Sequence, residues 1–429
     1  MKVFIRSFGC STNLADGQVL AGCLAEAGHV LVGSVVSADV VVCNTCAVKG
    51  PTESRMISVL KKIPADKKLV VAGCLPLVNF ERMNRQVRFD GIAGPAAGEG
   101  IVEVVRRVAD GERVVALDDA CEAMPRLSLP RVRPNSAISI IQISYGCLGS
   151  CAYCCVALAR GRLRSYSVEE VVERARKDID EGAREIWLTS QDAACYGKDR
   201  NTDLAELLDS LCKIEGKFKI RVGMMTPNAT LSILDELVQA FRDEHVFRFL
   251  HVPVQSGDDG VLKRMRRFYM VSDFKKLVNA FRSSFPELTL STDVICGFPG
   301  ETEQAFGNTL RLIEEVKPDM VNVSKFFARP RTTAAEMQEG IVHAGEIRRR
   351  SLVVSGLAKE TTLERNRLWI GWTGEILIDE AGKVRGSWVG RNFAYKPVLV
   401  RSSRRLLGGV VNVRVVEAFQ AHLPGEIIE

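Results

Sequence analysis

Apolar and polar positions along this chain alternate in two rhythms, and the character of the pattern changes twice. To about residue 120, short apolar runs (KVFIRSF, SADVVVCN, KKLVVAG, FDGIAG and RVVALD) are separated by segments such as GQVLAGCLAEAG and GIVEVVRRVADG. In those segments apolar residues recur every three and four positions. Strand–helix alternation of this kind predicts a doubly wound parallel sheet with helices on both faces. Residues 121–136, CEAMPRLSLPRVRPNS, hold no periodicity and read as a linker. Alternation resumes over residues 137–365 with six candidate strands, AISIIQIS, REIWLTS, KIRVGMM, FRFLHVPV, LTLSTDVI and DMVNVSKFF. Six strand–helix units predict a (β/α)6 partial barrel, whose chemistry gathers at the carboxyl ends of the strands. Ser167 and Glu170 form the sequence signature of a capping box at the start of one of its helices. Over residues 366–429 the strands shorten and glycines multiply, which predicts a small all-β barrel.

Composition narrows the class. With 46% hydrophobic and 26% charged residues in 429, the chain can bury its own cores without disulfide staples. A net charge of +6 is mild and leaves an RNA partner open only where basic residues gather on one face. Thirteen cysteines are many, yet MKVFIRSFGC has no secretory pattern. The apolar stretch from Val30 to Val42 is interrupted by Gly33, Ser34, Ser37 and Asp39, so it does not span a bilayer. The expectation is metal or redox chemistry in a reducing cytoplasm.

Cys147, Cys151 and Cys154 supply a Cys-x-x-x-Cys-x-x-Cys spacing just after the first barrel strand. Three thiolates on a four-iron cluster leave one iron open for the amino and carboxylate groups of S-adenosylmethionine (SAM). One electron then splits a C–S bond and yields a 5′-deoxyadenosyl radical. Zinc is the rival, although a closed structural site needs four ligands and adjacent Cys154 and Cys155 chelate one tetrahedral ion awkwardly.

Four stretches, GCLGSCAYCCVALARGRLRSY, EIWLTSQDAACYGKD, FLHVPVQSGDDGVLKRM and STDVICGFPGETEQAF, carry a family resemblance. Through them the chain resembles the radical SAM methylthiotransferases over essentially its whole length. It looks closest to the archaeal and eukaryotic branch acting on N6-threonylcarbamoyladenosine beside the tRNA anticodon, a likeness concentrated in ARGRLRSY. The resemblance implies an N-terminal cluster domain (1–120), a radical SAM barrel and a C-terminal TRAM domain. Two departures stand out: Arg331 replaces a glycine usual after Arg-Pro, and GMMTP lacks the asparagine common before that proline.

Cys10, Cys46 and Cys74 each follow an N-terminal strand, and the carboxyl ends of neighbouring strands in a doubly wound sheet converge on one edge. Small soft cysteines also pack well at strand ends; the resemblance makes these three the ligands of an auxiliary cluster, giving two 4Fe-4S clusters. Cys23, Cys43, Cys195, Cys212 and Cys296 read as core residues, and Cys121 as a linker thiol. By resemblance Tyr153, Ser190, Gln191, Asp192, Gln255 and Asp293 contact SAM. Arg391 and Lys396 lie among aromatics in SWVGRNFAYKPV, a pattern suited to RNA, and Arg160 and Arg162 follow the cluster loop. The implied reaction places a methylthio group on adenine C2, with a flavodoxin- or ferredoxin-like electron donor and a sulfur source as further partners. Its rivals are the same chemistry on isopentenyladenosine tRNA or a ribosomal-protein aspartate, and a non-catalytic RNA-binding protein with structural zinc.

Overall fold

The computed structural model describes residues 1–48, 50–118 and 120–428. The N-terminal runs form β1 (Lys2–Ser7), β2 (Val30–Leu31), β3 (Val40–Thr45), β4 (Lys68–Gly73), β5 (Gly91–Ala93) and β6 (Val114–Ala116). They pair in parallel in the order β2-β1-β3-β4-β5-β6. The pattern does not announce β2, because two residues are too few to show alternation. Every residue of β3 is buried, as a strand covered on both faces requires. One face packs on helices Ser11–Glu26 and Gly100–Ala109 through Leu20, Leu24, Val104 and Val108. The other packs on Gly50–Leu60 and Phe80–Gln86 through Ile57, Leu60 and Met83. The sheet is doubly wound, and its strand order reverses between β1 and β3.

Residues 121–136 contain no helix or strand, yet they are tied down. The Val132 N–H donates to Gln18 O (3.0 Å), and Leu129 joins the N-terminal core. A Cβ on Gly22 would lie 2.1 Å from Pro130 O, so the close passage of this segment requires glycine there.

The middle of the chain contains β7 (Ile138–Gln142), β8 (Ser144–Tyr145), β9 (Arg164–Ser165), β10 (Glu185–Thr189), β11 (Lys219–Val222), β12 (Phe249–His251), β13 (Thr289–Cys296) and β14 (Met320–Lys325). β8 and β9 make a short antiparallel pair. The other six are parallel and follow one another in space, with an Ile220–Val246 bridge joining β7, β10 and β11 to β12, β13 and β14. With helices between successive strands this is the open partial barrel. The capping box forms: Glu170 N–H donates to Ser167 Oγ (3.2 Å) and Ser167 N–H to Glu170 Oε2 (2.9 Å).

Helix Ala344–Arg367, which contains the expected boundary at residue 365, leads into a closed barrel. Its strands are β15 (Thr373–Ala381), β16 (Ser387–Arg391), β17 (Pro397–Arg401), β18 (Val410–Val415) and β19 (Leu423–Ile427), in the order β15-β16-β17-β19-β18. Ile376, Ile378, Val398, Val400, Val413 and Leu423 fill it. It seats on the amino-terminal ends of the partial-barrel strands: Arg248 N–H, just before β12, donates to Phe393 O (2.8 Å). Lys396 Nζ donates to Oδ1 of Asp319, just before β14 (2.8 Å).

Candidate active site

The central cysteine loop leaves β8 through Gly146, at φ +76°, where a Cβ would collide with Arg162 O at 1.8 Å. Only glycine lets the loop turn that closely against the strand returning to β9. The loop is pinned by Ala152 N–H to Met265 O (2.9 Å) and Ala334 N–H to Ala152 O (2.8 Å). A Cβ on Gly149 would lie 3.3 Å from Cys147 Sγ and 3.7 Å from Cys151 Sγ, so both sulfurs flank one point. Backbone N–H groups of Gly149 and Val156 donate to the sulfurs of Cys147 (3.2 Å) and Cys154 (3.4 Å). Arg267 Nη1 donates to Cys151 Sγ (3.1 Å). Burial pushes the free thiols of Cys147 up to about 11 and Cys154 up to about 12, with neighbouring cysteine charge adding. Metal binding here displaces protons that the bare site retains at neutral pH.

Cys10, Cys46 and Cys74 lie at the carboxyl ends of β1, β3 and β4, three neighbouring strands beside the switch point of the doubly wound sheet. Cys10 is the residue before helix Ser11–Glu26 and is exposed, whereas Cys46 and Cys74 are buried. A Cβ on Gly9 (φ +105°) would lie 2.8 Å from Cys46 Sγ, and Cys74 N–H donates to Thr45 O (2.9 Å). Asn13 clips the loops together: its Nδ2 donates to Phe8 O (2.9 Å) and Thr45 O (2.8 Å). Its Oδ1 accepts from Arg160 Nη2 (2.8 Å). Burial pushes the Cys74 thiol up to about 12.

The segments that follow Cys154 and Cys74 meet at the junction of the sheets. Helix Val156–Arg160, after Cys154, packs on helix Leu75–Val78, after Cys74. Cys155, Cys74, Ala47, Val78 and Ala159 share one apolar cluster, and Cys155 Sγ donates to Ala47 O (3.3 Å). Asn13, Cys155 and Arg267 carry this geometry, and sequence reasoning did not single out Asn13 or Arg267; neither lies in a recognisable ligand spacing.

The residues expected at SAM divide. Ser190 Oγ and Gln191 Oε1 are buried without a hydrogen-bond partner, as is Arg267 Nη2. Orphaned polar atoms beside the cysteine loop, together with three convergent sulfurs, fit a four-iron cluster carrying a polar ligand. Tyr153 is held edge-on to Phe298 at 6.4 Å. Asp192 is already engaged: Oδ1 accepts from Ala194 N (3.2 Å) and Thr226 N (3.0 Å), and Oδ2 from Thr226 Oγ1 (2.5 Å). It shapes the loop rather than offering a free carboxylate. Gln255, at φ +67°, bonds through its backbone to Asp293 O (2.8 Å) and Ile295 N (3.0 Å). The Asp293 carboxylate accepts from His251 Nε2 (3.1 Å) and Asn322 Nδ2 (2.7 Å).

Of the expected RNA contacts, only Arg162 is exposed. Arg160 is 3% exposed, with Nη2 on Asp16 Oδ2 (2.5 Å) and on Asn13. Removing one partner of such a pair costs about 3–5 kcal/mol, so the ion pair rather than a phosphate places it. Lys396 is also 3% exposed, on Asp319 Oδ1 and Asn366 Oδ1 (both 2.8 Å). Arg391 pairs with Asp379 (2.9 Å), and Tyr395 stacks edge-on with Phe247 at 4.9 Å. Lys396 and Tyr395 tie the C-terminal barrel to the rest of the chain, and the half-buried Arg391 is engaged within the barrel itself. Exposed cations of the C-terminal barrel include Lys383 and Arg385 between β15 and β16, and Arg401, Arg404 and Arg405 at and after the end of β17. Ser402 N–H donates to Gly386 O (2.9 Å), which places both turns at one end of the barrel.

Residues 141–313 match the family described as Radical SAM superfamily, and residues 2–94 match Uncharacterized protein family UPF0004. The chain is 40% identical to a probable threonylcarbamoyladenosine tRNA methylthiotransferase of Pyrococcus horikoshii, covering all of both chains. It is 37% identical to the threonylcarbamoyladenosine tRNA methylthiotransferase of Xenopus laevis, over all of this chain and 77% of the relative. For that of Homo sapiens the identity is 36%, over 99% of this chain and 74% of the relative. Among solved structures, the radical S-adenosylmethionine methyltransferase TsrM of Kitasatospora setae shares the fold, with a TM-score of 0.59 over 78% of this chain and 75% of that one at 13% identity. Identity on this scale along the entire chain, joined to a partial barrel whose first loop gathers three cysteines, shows that the chain belongs to the threonylcarbamoyladenosine tRNA methylthiotransferase family of radical SAM enzymes.

Proposed function

We propose that this chain replaces the hydrogen on C2 of N6-threonylcarbamoyladenosine, beside a tRNA anticodon, with a methylthio group. The observation that carries this reading is the packing of the loop end at Cys155 on the loops of Cys46 and Cys74 from the other sheet, through Ala47 and Cys74. When bound, a cluster on Cys147, Cys151 and Cys154 with SAM supplies the 5′-deoxyadenosyl radical, and a second on Cys10, Cys46 and Cys74 supplies the sulfur. Arg267 holds the Cys151 sulfur, Ser190 and Gln191 offer buried polar atoms to the ligand, and Asn13 with Arg160 keeps the triads in register. Such positioning is what brings a base and its reactants within reach of one another.

The domain assignment that follows is 1–120 for the auxiliary cluster, 121–136 as connector, 137–365 for radical chemistry and 366–429 for RNA. The exposed rim of Lys383, Arg385, Arg401, Arg404 and Arg405 suits phosphate contacts, with Arg162 nearer the cluster loop. A flavodoxin- or ferredoxin-like donor delivers the electron and a separate source renews the sulfur. No described helix is long and apolar enough to cross a membrane, and a reducing cytoplasm suits this many free thiols.

The test is anaerobic incubation of reconstituted protein with SAM, dithionite and threonylcarbamoyladenosine-bearing tRNA, followed by nucleoside mass spectrometry. The expected product is a methylthio mass increase that disappears in Cys151→Ala. Replacing Cys10, Cys46 and Cys74 together by Ala is expected to leave roughly half the iron and 5′-deoxyadenosine formation, with no methylthio product. Methylthiolation of isopentenyladenosine tRNA instead would move the substrate assignment.

A further inference from the structure

Cys212 does not sit wholly in the core as its sequence context predicts; it is half-buried at the end of helix Leu204–Cys212. Beside it lie Asp243 and His245, in the turn ahead of β12. Ile220 N–H, near the start of β11, donates to His245 O (2.6 Å). The trio therefore occupies the amino-terminal end of the partial barrel, opposite the cysteine loops, and the chemistry above makes no use of it.

We propose that Cys212, Asp243 and His245 form a zinc site. One ligand atom from each residue lies within 4.8 Å of the other two. Tetrahedral zinc, with sulfur at about 2.3 Å and nitrogen and oxygen at about 2.0–2.1 Å, needs ligand atoms roughly 3.3–3.6 Å apart. Small side-chain rotations close that gap.

The three side chains already engage one another. His245 Nδ1 lies 2.8 Å from Asp243 Oδ1, the Cys212 thiol bonds the same carboxyl, and His245 Nε2 lies 3.3 Å from Gly216 O. A metal ion would replace the protons those contacts share, and a backbone carbonyl on the far nitrogen is the usual outer partner of a metal-bound imidazole. Phe218 packs against the ring at 4.5 Å, and His245 N–H holds Asp243 Oδ1 (2.8 Å). Thiolate, imidazole and carboxylate together favour zinc over magnesium or calcium. The Asp243 side chain is 39% exposed, which leaves a fourth position to water. The ion would clip the helix end to the turn entering β12 and offset the negative end of the helix dipole.

The test uses holoprotein with its iron–sulfur clusters assembled, given zinc in the presence of a weak competing chelator, desalted and analysed for metals. The expected result is about one zinc per chain with iron unchanged. Cys212→Ser and His245→Gln should each weaken zinc binding by at least about tenfold, while iron content and 5′-deoxyadenosine formation stay at wild-type levels. Zinc should also raise the melting temperature of the wild type and not of either variant. No zinc uptake, equal uptake by the variants, or uptake matched by iron loss would overturn the proposal.

Discussion

Arg267 lies in RMRRFYM, a run that reads as an ordinary basic helix end, yet its guanidinium reaches a cysteine 116 positions away. Its Nε donates to Tyr269 Oη (3.0 Å), whose hydroxyl donates to Val254 O (2.8 Å), so the cation is held in place rather than flexible. A fixed positive donor on a cluster sulfur favours the reduced, more negative cluster. Arg267→Gln is therefore expected to lower the reduction potential by tens of millivolts, on the order of 1–2 kcal/mol, in a spectroscopic redox titration. An unchanged potential would reduce Arg267 to a packing residue. The spacing of Cys147, Cys151 and Cys154 was legible because all three cysteines lie within one loop. The fates of Arg160 and Lys396 were not, because an arginine bound for phosphate and one bound for a buried aspartate are identical in sequence.

At the scale of elements, the strands that the alternation predicted are present, and the glycines at their ends explain where the chemistry sits. Gly9, Gly73 and Gly146 take positive φ at the carboxyl ends of β1, β4 and β8, each immediately before a cysteine. The opposite ends of the strands carry a different chemistry. Glu185, at the foot of β10, is fully buried against the C-terminal barrel. Burial, then the charge of Asp379, pushes its carboxyl up to about 8. Its Oε2 has no partner, in keeping with a neutral acid. In the unfolded chain the same group ionises in the usual carboxylate range. Its contribution to stability is therefore full below that range and lost as pH rises towards 8. Melting temperature should fall over that interval, and Glu185→Gln should flatten the dependence. A slope unchanged in the variant would show that another group is responsible.

The whole molecule places its two kinds of basic residue by burial. Cations between domains are paired, whereas Lys383, Arg385, Arg401, Arg404 and Arg405 stay exposed at one end of the closed barrel. Reversing Arg404 and Arg405 to Glu should weaken tRNA binding and reduce the salt slope by roughly one unit per lost phosphate contact. SAM cleavage without tRNA should not change, and unaltered tRNA affinity would move the RNA surface elsewhere. By itself the sequence determined the three-part architecture, the fold class of each part and the cysteines to watch, because periodicity and short-range spacing are local properties that one segment displays alone. Only the tertiary structure decided that Cys155 packs beside Cys74, that Arg160 clips to Asn13, that Arg267 reaches Cys151, and that the aromatic–basic run of the last barrel faces inward. Those outcomes depend on which surfaces of distant segments exclude water together, and a buried charge takes whichever partner the packing brings to it.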